Sequence, residues 1–401
     1  MKQARHTDTM LIRQKLAQAE GILNELGIDC WITFTRETEI NGDPILPFLT
    51  DGELTWHSAF IVTASGARRA IVGQYDKQGV EDLGSYDRVI GYIEGIREPL
   101  RECLMEFSPG TIAINYSQGS EICDGLTHGM YLTLHAYLSD MGLQDRLVSA
   151  ERIISALRQR KSDAEIERMR RAIAITDGVF ERVKGFIRPG RTEKEVAAFM
   201  MELLGKEGAE PAWDPKSCPA VFTGPDTAGA HYAPTARKIE RGHLLNMDFG
   251  VRVGGYCSDL QRTFYVLEEG EHAAPNEVQK GFETILRAIE KSRLAIRPGV
   301  QGVAVDAVAR GVLAESGYDP FPHGLGHQVG RYAHDGTALL GPAWEKYGSK
   351  PFETIEEGMV FTLEPRLAVP GRGVATVEEM VRVTAHGADY LSTPQRDLLL
   401  V

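Results

Sequence analysis

Apolar positions recur at helical spacing from residue 9 to 26, with Met10, Leu11, Leu16, Ile22, Leu23 and Leu26 on one face and Gly27 stopping the pattern. The run IDCWITF that follows is short and apolar throughout, which predicts a buried strand. WHSAFIVTASGARRAIVG predicts a hairpin turning at Ser65-Gly66, EPLRECLMEF a helix, and TIAINYS a further strand. Strands alternating with helices over about 145 residues predict one α/β domain.

The texture then changes. SAERIISALRQRKSDAEIERMRRAIAITDGVFERVKGFI is a long, charge-laced helical region with a break at Ser162-Asp163, where a serine can cap a helix. The domain boundary is expected near there, giving an N-terminal domain over 1–155 and a C-terminal domain over 156–401. From about 163 the pattern gives two helices, a strand-rich block over 218–266, two more helices over 276–316 and a second strand-rich block over 320–384. A helix-helix-strand order occurring twice hints at an internal structural duplication, and no short-period repeat is present.

Composition narrows the function. A chain of 401 residues with 43% hydrophobic content can bury a sizeable core. Its 44 basic against 56 acidic residues, net −12, argue against nucleic acid, whose phosphates need basic patches. Five scattered cysteines, Cys30, Cys103, Cys123, Cys218 and Cys257, suggest reduced thiols rather than a disulfide framework. The N-terminus lacks the apolar core of a signal peptide, and no apolar run approaches the ~20 residues of a membrane helix. A soluble, cytoplasmic protein with no membrane partner is expected.

Five ionisable residues of the second half stand among apolar or small neighbours: Asp248 in NMDFG, Asp259 in YCSDLQRTF, His327 closing HGLGH, Glu364 in VFTLEP and Glu378 in VATVEE. Taken singly, an acid in a strand is ordinarily an edge residue facing solvent, and for Glu378, with Glu379 beside it, that ordinary role suffices. Asp248 and Asp259, however, fall on strands expected to be neighbours, and desolvating unpartnered carboxylates is expensive. Four carboxylates carry charge that two divalent cations would neutralise, and one imidazole among them makes an oxygen-rich donor set suited to manganese, cobalt or iron. Two such ions about 3.5–4 Å apart acidify a water and polarise a carbonyl, so hydrolysis is the expected chemistry.

The stretches MDFGVRVGGYCSDLQRTF, HGLGHQVGRYAHD, EEGMVFTLEP and VATVEEMVRVT together resemble the pita-bread metallohydrolases: Xaa-Pro dipeptidases, Xaa-Pro aminopeptidases, methionine aminopeptidases and the metal-free creatinases. The resemblance covers 163–384 and implies an α+β chain, with a pita-bread domain of pseudo-duplicated helix-helix-strand units around a curved antiparallel sheet. The α/β domain in front resembles that of creatinases and of the proline-specific branch; methionine aminopeptidases usually lack it. By position, the resemblance makes Asp248 a ligand of one ion, His327 and Glu364 ligands of the other, and Asp259 and Glu378 bridges between them. Glu378 is chosen over Glu379 because the family's glutamate stands six residues before the strand-ending threonine, here Thr384. Glu364 would also shuttle a proton. His231 in AGAHYAP matches the family's substrate-side histidine, His323 would face the residue after the scissile bond, and His334 in YAHD would donate to the scissile carbonyl as charge develops. Two manganese ions, with cobalt, zinc and iron as alternatives, a small peptide substrate and a homodimer are further implications.

Three positions depart from the family pattern: Thr376 where arginine is usual, Gln261 where threonine is usual, and Arg331 where leucine is usual. Arg331 is expected either to grip the free carboxylate of a dipeptide's proline, to pair with a nearby acid, or to face outward. The expected activity is hydrolysis of the bond preceding proline in Xaa-Pro dipeptides. An Xaa-Pro aminopeptidase on longer peptides is the nearest alternative. A creatinase-like C–N hydrolase or a non-catalytic binding module would have lost ligands that this chain keeps.

Overall fold

The computed structural model describes residues 9–225 and 233–401. The chain divides into two compact units, Met1–Arg158 and Gln159–Val401, at the C-terminal end of the helix Glu151–Gln159.

The first unit is built on a six-stranded sheet in the order Arg88–Tyr92, Arg68–Gly73, Ser58–Thr63, Cys30–Thr35, Ile112–Ile114, Leu147–Ser149. The central hairpin turns through Gly66 at a φ of 90°, a conformation open to glycine, and the outer strands add in parallel. Helix Thr9–Leu26 buries Leu11, Ile12, Leu16, Ala19, Ile22 and Leu23. Met10 corrects the expected face: it stands 71% exposed, because it lies two and a half turns before Ala19 and so on the opposite side. Leu26 is only half-buried.

In the second unit, helix Asp163–Lys184 starts at a capping box in which Ser162 and Glu165 satisfy each other's backbone N–H groups. Thr192 and Glu195 do the same for helix Glu193–Glu207. Strands follow, then helices Asn276–Ala295 and Gly302–Glu315, then strands again, so helix-helix-strand occurs twice. Val278, Phe282, Ile285 and Ile289 form the helical stripe of Asn276–Ala295 and pack in the same core as Leu367, Val369, Val381 and Val383. Among the described residues no helix is long and apolar enough to cross a membrane.

The strands that matter for function meet in one place. Leu260–Tyr265 runs antiparallel to Leu244–Phe249, which also pairs with Ala220–Thr223. Val360–Leu363 runs antiparallel to Glu379–Thr384. An isolated bridge between Gln261 and Glu378 joins the two sheets.

Candidate metal centre

Each of the five expected ligands sits on or beside one of these strands. Asp248 lies within Leu244–Phe249, its backbone held by Leu260–Tyr265. Asp259 corrects the expectation slightly: it stands just before Leu260–Tyr265, not inside it. Glu364 directly follows Val360–Leu363, and Glu378 directly precedes Glu379–Thr384. His327 ends the short strand Gly326–His327, whose close approach to Val360–Leu363 requires glycine, since a Cβ at Gly326 would overlap the Thr362 carbonyl oxygen.

These side chains converge. His327 Nε2 lies 3.4 Å from Glu364 Oε1, 3.8 Å from Asp259 Oδ2 and 4.0 Å from Glu378 Oε1. Asp259, His327 and Glu378 offer ligand atoms that all lie within 4.8 Å of one another. Burial pushes the Asp248 carboxyl up to about 7. Asp259 is raised well above the usual carboxylate range by burial, then by Asp248 and Glu364. Glu364 is raised by burial and Asp248, and Glu378 by burial, Asp259, Glu364 and Asp248. Repulsion of this kind among buried acids is relieved by protons or by metal cations.

The donor set fits divalent metal. Asp248 Oδ1 and Glu378 Oε2 are buried and meet no hydrogen-bond partner among the described residues, so each keeps a lone pair for a cation. The cysteines nearby do not compete: Cys218 donates to the Gly250 carbonyl and Cys257 to the Arg331 carbonyl, both at 3.4 Å. Burial holds both as thiols, pushed up to about 12 and about 11. What remains is carboxylate oxygen and one imidazole.

The expected histidines divide. His334 packs its ring edge-on against His327, centroids 4.2 Å apart at 81°. His323 Nδ1 lies 2.7 Å from the Gly324 carbonyl, which can only accept, so Nδ1 carries the proton. Burial, then the cations Arg366, Arg310 and Lys346, lower its pKa to about 4, which keeps it neutral near pH 7. His231 lies outside the described residues. Arg331 is half-buried, with its guanidinium 5.3 Å from the Tyr256 ring centre, and the Tyr256 hydroxyl donates to Glu165 at 2.8 Å.

Some residues of this site escape reading from the sequence. Arg262 is buried and fans its guanidinium onto the carbonyls of Gln261, Glu378 and Thr393 and onto Glu379 and Asp177. It ties the strand Leu260–Tyr265 to the Glu378 segment. Arg366 faces Thr376 across a two-stranded ladder and stands two residues from Glu364. Gln261 and Thr376, two departures from the family pattern, touch each other: the Thr376 hydroxyl is 3.1 Å from Gln261 Oε1. The available signal was a polar side chain inside an otherwise apolar strand.

The model of metallopeptidase family M24 matches residues 167–385. The chain is 34% identical over 250 residues to the Xaa-Pro dipeptidase of Pyrococcus furiosus, covering 62% of this chain and 67% of that protein. It is 32% identical over 250 residues to that of Pyrococcus horikoshii, covering 62% and 66%. These alignments thus span about two thirds of the relatives' own length. Among solved structures, dipeptidase PepE from Mycobacterium ulcerans superposes with a TM-score of 0.72 at 26% identity over 99% of this chain and 100% of that one. The X-Pro aminopeptidase of Thermotoga maritima, at 24% identity and a TM-score of 0.70 over 96% and 99%, shares the fold.

Proposed function

We propose that this chain, which belongs to metallopeptidase family M24, hydrolyses the peptide bond preceding proline in Xaa-Pro dipeptides at a centre of two divalent ions. The observation that carries the proposal is the convergence of Asp259, Glu364 and Glu378 on His327 Nε2, with Asp248 buried beside them and two carboxylate oxygens unsatisfied. Asp248, Asp259, His327, Glu364 and Glu378 would hold the ions. Bound there, divalent cations supply Lewis acidity, making a water nucleophilic and polarising the scissile carbonyl.

The chain's own residues do the rest. Glu364, as the carboxylate, takes a proton from the attacking water as the C–O bond forms and, as the carboxylic acid that its buried setting favours, passes it to the proline nitrogen as the C–N bond breaks. His334, edge-on to His327, donates to the carbonyl oxygen as negative charge grows there. His323 stays neutral and turns Nε2, an acceptor, to the substrate. Arg310 is paired with Asp306, but Arg366 and Lys346 add positive charge on that side, which favours a proline whose carboxylate is free, as in a dipeptide.

Manganese, a homodimer and a cytoplasmic location belong to the same proposal; five buried free cysteines support a reducing compartment. The test is hydrolysis of Xaa-Pro dipeptides and Xaa-Pro-Yaa tripeptides by metal-stripped protein before and after manganese. Dipeptides are cleaved faster, and only with metal. Faster cleavage of tripeptides overturns the dipeptidase assignment in favour of the aminopeptidase, and metal-independent turnover overturns the metal centre.

A further inference from the structure

Gln261 is the residue aligned with two of the proposed ligands at once. In the ladder it pairs with Asp248 on one side, and through an isolated bridge it pairs with Glu378 on the other. Its backbone N–H donates to the Glu378 carbonyl at 3.4 Å, and the Glu378 N–H donates back at 3.2 Å. Its side chain lies in the same wedge, where Nε2 donates to Asp248 Oδ2 at 3.3 Å. The amide cannot turn over freely, because its oxygen receives the Thr376 hydroxyl at 3.1 Å, a proton shared with the Pro365 carbonyl at 3.2 Å. Thr376 is itself fixed by exchange of hydrogen bonds with Thr263. Asp248, Gln261 and Thr376 are all buried.

We propose that Gln261, oriented by Thr376, is the positioning residue of the metal centre: its amide holds Asp248 by Oδ2 while its backbone fixes Glu378, leaving Asp248 Oδ1 and Glu378 Oε2 for cations. The proposal rests on these carboxylates being a metal site. The two oxygens left without a hydrogen-bond partner belong to the two acids that Gln261 flanks. A neutral donor matters here. A lysine or arginine in the same wedge would cancel one carboxylate charge and weaken the pull on divalent ions, whereas an amide orients Asp248 and leaves the charge of both acids intact.

The experiment measures manganese affinity of the full-length, metal-stripped chain by competition with a chelator, with no peptide present. Gln261→Met, similar in shape but without the amide, weakens manganese binding by about 10–100-fold, the range seen when partners of metal ligands are removed. Thr376→Val weakens it in the same direction, and Thr376→Ser, which restores the hydroxyl, recovers it. The double variant Gln261→Met/Thr376→Val is no weaker than Gln261→Met, because both act through one amide. The melting temperature of the stripped protein changes little in all of them, which separates positioning from a general loss of fold. Wild-type affinity in Gln261→Met overturns the proposal, as does an additive loss in the double variant or a Thr376→Ser no better than Thr376→Val. A wild-type chain that binds no divalent ion overturns the metal centre itself, and peptide specificity does not enter either result.

Discussion

Glu378 and Glu379 are consecutive, yet they serve different partners: Glu378 Oε1 lies 4.0 Å from His327 Nε2, while Glu379 Oε1 accepts from Arg262 Nη1 at 3.1 Å. Successive side chains of an extended chain point to opposite sides, so one glutamate faces the ligand cluster and the other the brace between sheets. Glu379 is further held by the Ser392 hydroxyl at 2.5 Å and the Gln395 N–H at 2.8 Å.

The two positions therefore fail differently. Glu378→Gln loses bound metal and lowers kcat/KM by about 10³-fold, while the stripped protein melts near the wild-type temperature. Glu379→Gln leaves Arg262 with only the partly exposed Asp177 as counter-charge and destabilises the fold by about 1–3 kcal/mol. Elemental analysis and thermal melts of both variants check this; full metal occupancy in active Glu378→Gln would assign the ligand role elsewhere.

Stripping the metal should make stability depend on pH in a stated direction. Asp248 is raised to about 7, and Asp259, Glu364 and Glu378 are raised too. The folded metal-free chain thus holds protons that the unfolded chain, with carboxyls titrating near 4, has lost. This contribution to stability is fully present below the unfolded values and disappears as pH rises through the folded ones. Melting temperature of the stripped protein accordingly falls from about pH 4 to pH 7 through these groups. Added manganese raises it more at pH 7 than at pH 5, because ligands must be deprotonated to bind. A manganese-induced rise that is larger at pH 5 than at pH 7 contradicts the assignment.

Two arginines compete for the free carboxylate of a dipeptide. Arg331 stacks on Tyr256, whereas Arg366 borders Glu364 and adds to the positive surroundings of His323. A charge-assisted hydrogen bond is worth ~1.5–3 kcal/mol, so Arg366→Ala lowers kcat/KM for an Xaa-Pro dipeptide by about 10–100-fold. The same dipeptide as its amide loses much less, and Arg331→Ala affects both substrates equally. Selective loss in Arg331→Ala instead would return the carboxylate to that residue.

Local pattern was enough for the elements and for the candidate ligands. Helical spacing marked Thr9–Leu26, and Ser162 marked the start of Asp163–Lys184, because stripe and cap are set by residues a few positions apart. Asp248, Asp259, His327, Glu364 and Glu378 were legible because acids and a histidine among apolar neighbours need a common explanation. Tertiary structure alone decided how they are held. That Gln261 is wedged between Asp248 and Glu378, that Thr376 sets its amide, and that Glu379 pairs with Arg262 while Glu378 faces His327 all depend on strand register. Register joins segments more than a hundred residues apart, and a slip of one residue would turn every one of these side chains to the other face.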